Sequence, residues 1–253
     1  SRFSKFHNLP ELMKTFSLVA DIQTADMLNL PRPELEGGKA QIIVSPISDY
    51  QKRKMDEFVE RAEAIRNGMV DPSEDNMLKL THEAKLMAID PRLIDENAPA
   101  DENSKLSKCA NKVYEIWNET KENKSTQIIF CDSGTPRPDK FNVYDEIKRQ
   151  LMEKGIPEKE IAFIHDAKTE AQRDQLFEKV RNGEVRVILG STSKVGTGTN
   201  IQDRLIAGHH IDCPWRPADL TQRDGRILRQ GNMNKKVQIY RYVTKGTFDA
   251  YLW

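Results

Sequence analysis

The stretch VRVILGSTSKVGTGTN (185–200) joins a run of apolar residues directly to a loop that contains three glycines. A short apolar run that ends at turn-forming residues is typical of a buried strand. Glycine lets a backbone approach a ligand closely, and hydroxyl groups can bind phosphate. A flexible surface loop has the same composition, but a place at the carboxyl end of a strand favours a ligand site. The loop residues concerned are Ser191, Thr192, Gly196, Gly198 and Thr199.

The segments on both sides of this stretch alternate between strand and helix patterns. Strands that alternate with helices of this length predict a mostly parallel α/β sheet covered by helices on both faces. In such sheets, ligands bind beyond the carboxyl ends of the strands. The predicted strands are 126–132, 161–165, 185–191, 204–212 and 237–244, and the predicted helices are 141–155, 169–183, 217–231 and one that begins at 247.

The first hundred residues predict a mainly helical extension. Helices are expected over 10–20, 48–67 and 73–88, and one extended run, AQIIVSPI (40–47), interrupts them. The acidic, proline-containing stretch IDENAPADENSK (94–105) predicts a linker. We therefore expect an extension over 1–103 and an α/β domain over 104–253.

Composition limits the class of protein. The 253 residues carry 39 basic and 39 acidic side chains, so no overall charge attracts nucleic acid, but basic residues outnumber acidic ones between Arg204 and Lys245. The 3 cysteines lack the spacing of a disulfide framework or a zinc site, which favours a reducing, cytoplasmic location. We find no apolar run long enough for a membrane span. We expect an excised fragment of a longer polypeptide.

A complete nucleotide site is absent from the sequence. A phosphate-binding P-loop needs G-x-x-x-x-G-K-[ST] after a strand, whereas Gly38-Lys39 is followed by Ala40. The Asp145-Glu146 pair falls within a helix pattern rather than after a strand, where it would hold Mg²⁺. If the chain contacts a nucleotide, it supplies only part of the site.

The segment QRDGRILRQG (222–231) predicts a basic helix. Its arginines recur every third residue and would form a cationic ridge whose mutual repulsion an anion could offset. A solvated basic helix is the alternative. An interior glycine costs about 1 kcal/mol relative to alanine, so Gly225 indicates a closely packed backbone or ligand. The arginines are Arg223, Arg226 and Arg229.

Three other patterns are weaker. HHIDC (209–213) contains metal-ligand residue types, but its alternate side chains would face opposite sides of a strand, and we predict no metal site. DCPW (212–215) is similar to the D-P-P-W signature of amino-methyltransferases, although Cys213 breaks that pattern. Cys131 has no evident His and Asn partners, which favours a buried thiol over a nucleophile.

Four collinear segments together resemble the C-terminal lobe of the Swi/Snf family, which are helicase-like ATPases of superfamily two with RecA-like (P-loop NTPase-type) lobes. The resemblance covers about 104–253 and departs from the family at Arg216, where asparagine is usual, and at Asn232, where glutamine is usual. The segments are SKLSKCANKVYEIWNETKENKSTQIIFCD, ILGSTSKVGTGTNIQ (motif V), IDCPWRPADLTQRDGRILRQGN (motif VI) and YRYVTKGTFDAYLW.

The first hundred residues resemble the connector between the two lobes of that family. Their amino-acid sequence is also similar to that of large helicase–methylase polypeptides of phages and conjugative elements. A fragment of an adenine-specific DNA methylase, or of a helicase–methylase fusion, is therefore an alternative, and a non-catalytic DNA-binding module is another.

The resemblance implies a motor half that is inactive alone. ATP with Mg²⁺ would be held mainly by a missing N-terminal RecA-like lobe, and Arg226 and Arg229 would be arginine fingers, while Arg223 would be solvated or DNA-facing. The other implied residues are Gln222 and Gly225 at the nucleotide surface, Gly196, Gly198 and Asn200 in motif V, and Ser191, Thr192, Asp132 and Ser133 facing the backbone of double-stranded DNA.

Overall fold

The computed structural model describes residues 31–195 and 199–253. The helix predicted over 10–20 and the glycines Gly196 and Gly198 lie outside these residues. We number helices and strands in chain order from the first described element.

A seven-stranded sheet forms the centre of the molecule, and all of its strand pairs are parallel. The strand order is β1-β7-β6-β3-β5-β4, and β2 also pairs with β7. The order reverses beside β3, because the chain runs outward to β4 and β5 on one side and to β6 and β7 on the other. The strands are β1 (Glu34–Leu35), β2 (Gln41–Ser45), β3 (Thr126–Phe130), β4 (Ile161–Phe163), β5 (Val187–Gly190), β6 (Leu205–His210) and β7 (Lys236–Thr244).

Helices cover both faces of this sheet, which confirms the predicted α/β class. Alternate side chains of a strand point to opposite faces, so Ile129 and its two neighbours in β3 belong to different apolar clusters. One cluster packs beneath α3 (Lys105–Glu119) and α4 (Val143–Lys154). The other packs beneath α5 (Glu170–Arg181), the short α6 (Thr192–Val195) and α7 (Pro217–Ile227).

The helix ends follow local sequence signals. Asn142 caps α4 by accepting a hydrogen bond from the Asp145 amide, and Gly155 ends it in the left-handed conformation that glycine adopts most easily. Thr169 and Gln172 form a capping box at the start of α5. The sequence predicted both helices within a few residues.

The extension contributes helices and two strands. α1 (Asp49–Arg66) and α2 (Met77–Ile89) pack together around a small apolar cluster that includes Phe58 and Met87. β1 and β2 pair with β7, so this part of the extension lies in the same sheet as the predicted lobe. The last helix, α8 (Asp249–Leu252), follows β7 as expected.

A buried ion pair joins the start of α3 to the C-terminal segment. The Lys105 ammonium lies 2.7 Å from an Asp249 carboxylate oxygen, and both side chains are almost fully buried. Lys105 Nζ also donates to the carbonyl oxygens of Ile211 and Tyr242. These contacts fix α3 against the carboxyl ends of β6 and β7, which is the edge where the candidate site lies.

Candidate functional site

Loops from three neighbouring strands meet at the carboxyl edge of the sheet. Asp132 follows β3, Thr192 follows β5 and Asp212 follows β6. The carboxyl ends of parallel strands share one edge, so these residues come together although the sequence separates them widely. Arg223 of α7 lies at their centre with only 1% of its surface exposed. We call these four residues the Arg223 cluster.

The Arg223 guanidinium bonds to all three loops. Its Nε donates to Thr192 Oγ1 at 2.8 Å, and its Nη2 lies 2.9 Å from Asp132 Oδ2 and 2.8 Å from Asp212 Oδ1. Its Nη1 donates to the Asp212 carbonyl oxygen at 2.8 Å. The planar fork of arginine suits such multiple recognition. Arg223 therefore ties α7 to the ends of β3, β5 and β6.

The two carboxylates of the cluster are also bound by the loops themselves. Asp212 Oδ2 accepts from the backbone amides of Asp132 and Ser133, at 2.9 Å and 3.1 Å. Thr192 donates both its amide and its hydroxyl to the Asp132 carboxylate. Burial opposes ionisation of Asp212, but the nearby Arg223 outweighs it and lowers the pKa of that carboxyl.

His210, the last residue of β6, contacts both Arg223 and the next residue of α7, Asp224. Its Nδ1 lies 3.3 Å from Arg223 Nη1, which can only donate, so Nδ1 is the acceptor and Nε2 carries the proton. That Nε2 lies 2.7 Å from Asp224 Oδ1. Burial lowers the pKa of His210 despite the hydrogen bond to Asp224. A neutral histidine thus holds a second point of α7 to β6.

His209 points to the opposite face of the sheet, as alternation predicts. Its Nδ1 lies 2.8 Å from Tyr242 Oη, and its Nε2 lies 2.8 Å from Gln127 Oε1. Within residues 31–195 and 199–253, no group of three or more histidine, cysteine or acidic residues is placed to hold a metal ion. The two histidines of HHIDC are fully used in hydrogen bonds of the core.

These histidines predict a pH-dependent stability. Burial lowers the pKa of His209 from its ordinary value of 6.5 to about 3, so the unfolded chain takes up a proton below about pH 6.5 that the folded chain does not. Through His209 alone, the free energy of unfolding should fall by about 2 kcal/mol between pH 7 and pH 5. Denaturant unfolding at several pH values measures this change. The free energy of unfolding should depend less steeply on pH in His209→Gln than in the wild type.

The matched control for this pH experiment is His82→Gln, since His82 is exposed on α2. Between pH 7 and pH 5, the free energy of unfolding of this variant should change with pH as it does in the wild type. An unchanged slope in His209→Gln would contradict the role given to the buried ring.

The predicted ridge of three arginines is wrong. α7 ends at Ile227, so Arg229 lies beyond it, and Arg223 is buried rather than solvated or DNA-facing. The reason is that Asp132 and Asp212, which are remote in sequence, neutralise Arg223 in the folded chain. Only Arg226 and Arg229 remain as partly exposed cations of this segment.

Arg226 and Arg229 lie beside the glycine-rich loop. Arg229 Nη1 donates to the carbonyl oxygen of Thr199 at 2.8 Å. Arg226 is half-buried and forms no ion pair or hydrogen bond with any residue that the structure describes. Burial, with the charge of Arg229 as a smaller cause, lowers the pKa of Arg226. Neither arginine lies in the apolar interior, so both remain available to an anion.

Gly225 lies exposed on the same helix. Among the described residues, no atom comes within 4 Å of the place where a Cβ would be. The prediction that another backbone or a ligand packs there therefore has no counterpart in the described part of this chain. No residue within 31–195 or 199–253 fills the space beside Gly225.

A cleft of about 440 Å³ opens beside the Arg223 cluster at the carboxyl edge. Ser191 is buried at its wall, with its hydroxyl 3.3 Å from that of Ser193, while Asn200 is exposed. Lys194 supplies positive charge to the cleft, and Arg216, which also lines it, pairs with Asp219. Neither Lys194 nor the role of Asp212 was predicted from the sequence, since neither residue belongs to a recognisable charge pattern.

Comparison with known proteins gives a family. The family model described as "Helicase conserved C-terminal domain" matches residues 105–231. Two curated proteins are similar over shorter stretches. "Defense against restriction protein B" of Escherichia phage P1 is 34% identical over 71 residues, which are 28% of this chain and 3% of that protein. "Uncharacterized ATP-dependent helicase YqhH" of Bacillus subtilis is 27% identical over 167 residues, which are 62% of this chain and 28% of that protein.

Solved structures show the same fold. The C-terminal part of the Fun30 ATPase domain superposes with a TM-score of 0.62 at 16% identity, covering 88% of this chain and 89% of that one. The Sulfolobus solfataricus SWI2/SNF2 ATPase core in complex with dsDNA gives 0.55 at 19% identity, covering 83% of this chain and 42% of that one. By contrast, the chain spans under a third of the length of the two curated proteins named above.

Among the described helices, none has the length and apolarity that crossing a bilayer requires.

Proposed function

This chain belongs to the helicase conserved C-terminal domain family, and we propose on that premise that it is the C-terminal motor lobe of an ATP-dependent DNA translocase. An N-terminal RecA-like lobe of the same polypeptide would supply the P-loop and the Mg²⁺ ligands, which this sequence lacks. The lobe described here would supply Arg226 and Arg229 to the γ-phosphate and would be inactive alone. We place the protein in the cytoplasm.

One observation carries the proposal: Arg226 is a half-buried guanidinium with no anionic partner in the described chain. Partial removal of a charge from water is unfavourable unless an opposite charge compensates for it. Arg229 adds a second positive charge nearby, and the exposed Gly225 leaves space for a ligand or another lobe. The γ-phosphate of ATP fits this site by charge and by the fork geometry of arginine.

The remaining residues would connect this site to DNA. Gln222 and Gly225 would border the nucleotide, and Gly196, Gly198 and Asn200 would transmit its state through the loop after β5. We propose that Ser133 faces the phosphates of double-stranded DNA and that Ser191, which is buried at the wall of the cleft, supports this surface from beneath. Asp132 and Thr192, which we also place on this surface, would act there by fixing both loops through Arg223.

The direct test compares the isolated chain with the complete two-lobe protein. Phosphate release from ATP should be at background with this chain alone. It should appear, and rise on addition of duplex DNA, with the complete protein. Absence of ATPase activity in the complete protein, together with salt-dependent duplex binding by this chain, would instead identify a DNA-binding module. Calorimetric binding of S-adenosylmethionine would favour a methylase fragment.

The similarity to the phage P1 protein favours an origin in a mobile element, which we keep as part of the proposal. Fusion to a DNA methylase in the parent polypeptide rests on the sequence resemblance. Sequencing of the gene around this segment tests both statements.

The substitution Gly225→Ala distinguishes the effect of Gly225 on the stability of α7 from its effect on ATP hydrolysis. Alanine in place of an exposed interior glycine should raise the free energy of unfolding by about 1 kcal/mol. If a ligand or the other lobe occupies this space, the same change should lower the ATPase rate of the complete protein. Thermal unfolding and phosphate release measure the two effects.

The control for Gly225→Ala is Asn111→Ala, at an exposed position of α3 on the opposite face of the sheet. It should stabilise its helix by a few tenths of a kcal/mol without loss of activity. Full activity in Gly225→Ala would show that nothing packs against that position.

A further inference from the structure

The amino-terminal rim of the sheet holds a basic pocket of about 580 Å³, which we call the rim pocket. Lys121 and Lys124 precede β3, Lys159 precedes β4, and Lys179 lies in the last turn of α5. All four lysines are exposed, and Trp117 and Arg186 also line the pocket. The rim pocket lies across the sheet from the Arg223 cluster, at least the length of β3, or about 16 Å, away.

None of the four lysines of the rim pocket forms an ion pair with a residue in 31–195 or 199–253. Two acids also line the pocket. Glu160 accepts from Trp117 Nε1 at 3.1 Å, and Glu184 accepts from the side-chain amide of Asn182 at 3.3 Å. Like charges that converge on one concavity favour a bound anion.

Helix dipoles explain only part of this arrangement. A cation in the last turn of a helix is stabilised by about 0.3–1 kcal/mol, and the effect falls off beyond that turn. It accounts for Lys179 at the end of α5. It does not account for Lys124 or Lys159, which lie well beyond the ends of α3 and α4.

The backbone around the pocket is fixed in a conformation that brings Lys124 to it. Lys124 has a positive φ of 49°, which is unfavourable for a residue with a Cβ. Gly183 makes room for it, because a Cβ at that position would lie 2.7 Å from Lys124 Cβ. Arg186 holds the floor by donating to the carbonyl oxygens of Ser125 and Trp117.

We propose that the rim pocket is a second anion site, which binds closely spaced phosphate groups. Lysine ammonium groups bind phosphate as point charges, and four of them around one concavity suit a ligand with more than one phosphate. Trp117 is only 8% exposed and its ring is covered by Lys121, so recognition is by charge and not by stacking on a base. The phosphates come from a free oligophosphate or from a nucleic-acid strand. This site goes beyond the proposed motor function.

The test is calorimetric titration of the full chain with inorganic tripolyphosphate and, separately, with a short single-stranded DNA. The variant Lys121→Glu/Lys159→Glu should weaken binding by about tenfold or more, since one unit charge near a phosphate in water contributes about a factor of five. The control Lys52→Glu/Lys168→Glu makes the same charge change at exposed positions elsewhere and should bind as the wild type does. Thermal unfolding checks that both variants fold.

The two ligands distinguish the source of the phosphates. Tripolyphosphate binding that the rim variant loses, without such a loss for DNA, identifies a free oligophosphate. A loss for DNA identifies a nucleic-acid strand. Absence of binding to both ligands, or an equal loss in the control variant, overturns the proposal. The readout is binding to this chain, so it is independent of whether the complete protein hydrolyses ATP.

Discussion

Arg226→Ala in the complete two-lobe protein is expected to lower kcat for ATP hydrolysis by about 10³-fold or more, which is the usual contribution of an arginine finger. The physical reason is that the half-buried guanidinium has no partner in the described chain and, in the proposed function, would neutralise charge on the transferred phosphate. Arg229→Ala should have a comparable effect, although part of it would come from the lost hydrogen bond to Thr199. DNA-stimulated phosphate release measures both.

Folding should be unaffected by Arg226→Ala, because no described hydrogen bond or ion pair of the side chain is lost. Arg226→Lys should keep the charge but not the fork, and should restore only part of the rate. Arg173→Ala, at an exposed position of α5, is the matched control and should be fully active. A normal rate of ATP hydrolysis by Arg226→Ala would show that Arg226 is not part of the catalytic site.

Arg223→Met should lower the free energy of unfolding by about 3–5 kcal/mol, the cost of breaking a buried ion pair by removal of one partner. The substitution leaves Asp212, which is 1% exposed, without its guanidinium, and it releases α7 from Thr192. Urea unfolding of the isolated chain, followed by circular dichroism, measures the change. Loss of cooperative unfolding altogether is the extreme form of the same result.

Arg216→Met is the control for this experiment. Arg216 immediately precedes α7 and pairs with Asp219, but its side chain is 78% exposed, and exposed ion pairs contribute about 0–1 kcal/mol. Arg223→Lys should destabilise by an intermediate amount, since an ammonium cannot reach all of the acceptors. Equal stability of Arg223→Met and Arg216→Met would show that the cluster does not hold α7 in place.

The sequence was sufficient to predict the order of strands and helices in the α/β domain. Each buried strand is a short apolar run, and two of the helices between them, α4 and α5, begin at cap residues of their own, Asn142 and Thr169. Capping and burial patterns of this kind depend on neighbours in the chain. The pattern also predicted the last helix. Sequence patterns of this kind depend on local structure, so the helices and strands that they predict are also found in the folded protein.

Contacts between remote segments required the tertiary structure. Arg223, Arg226 and Arg229 are equivalent in the local sequence, yet only Arg223 meets two carboxylates, and those follow strands that the sheet order alone brings together. The short run Gln41–Ser45 gave no sign that it would pair with β7. Charge compensation and strand pairing depend on distances between residues far apart in the chain, so the sequence supplies the candidate groups and the fold selects which of them meet.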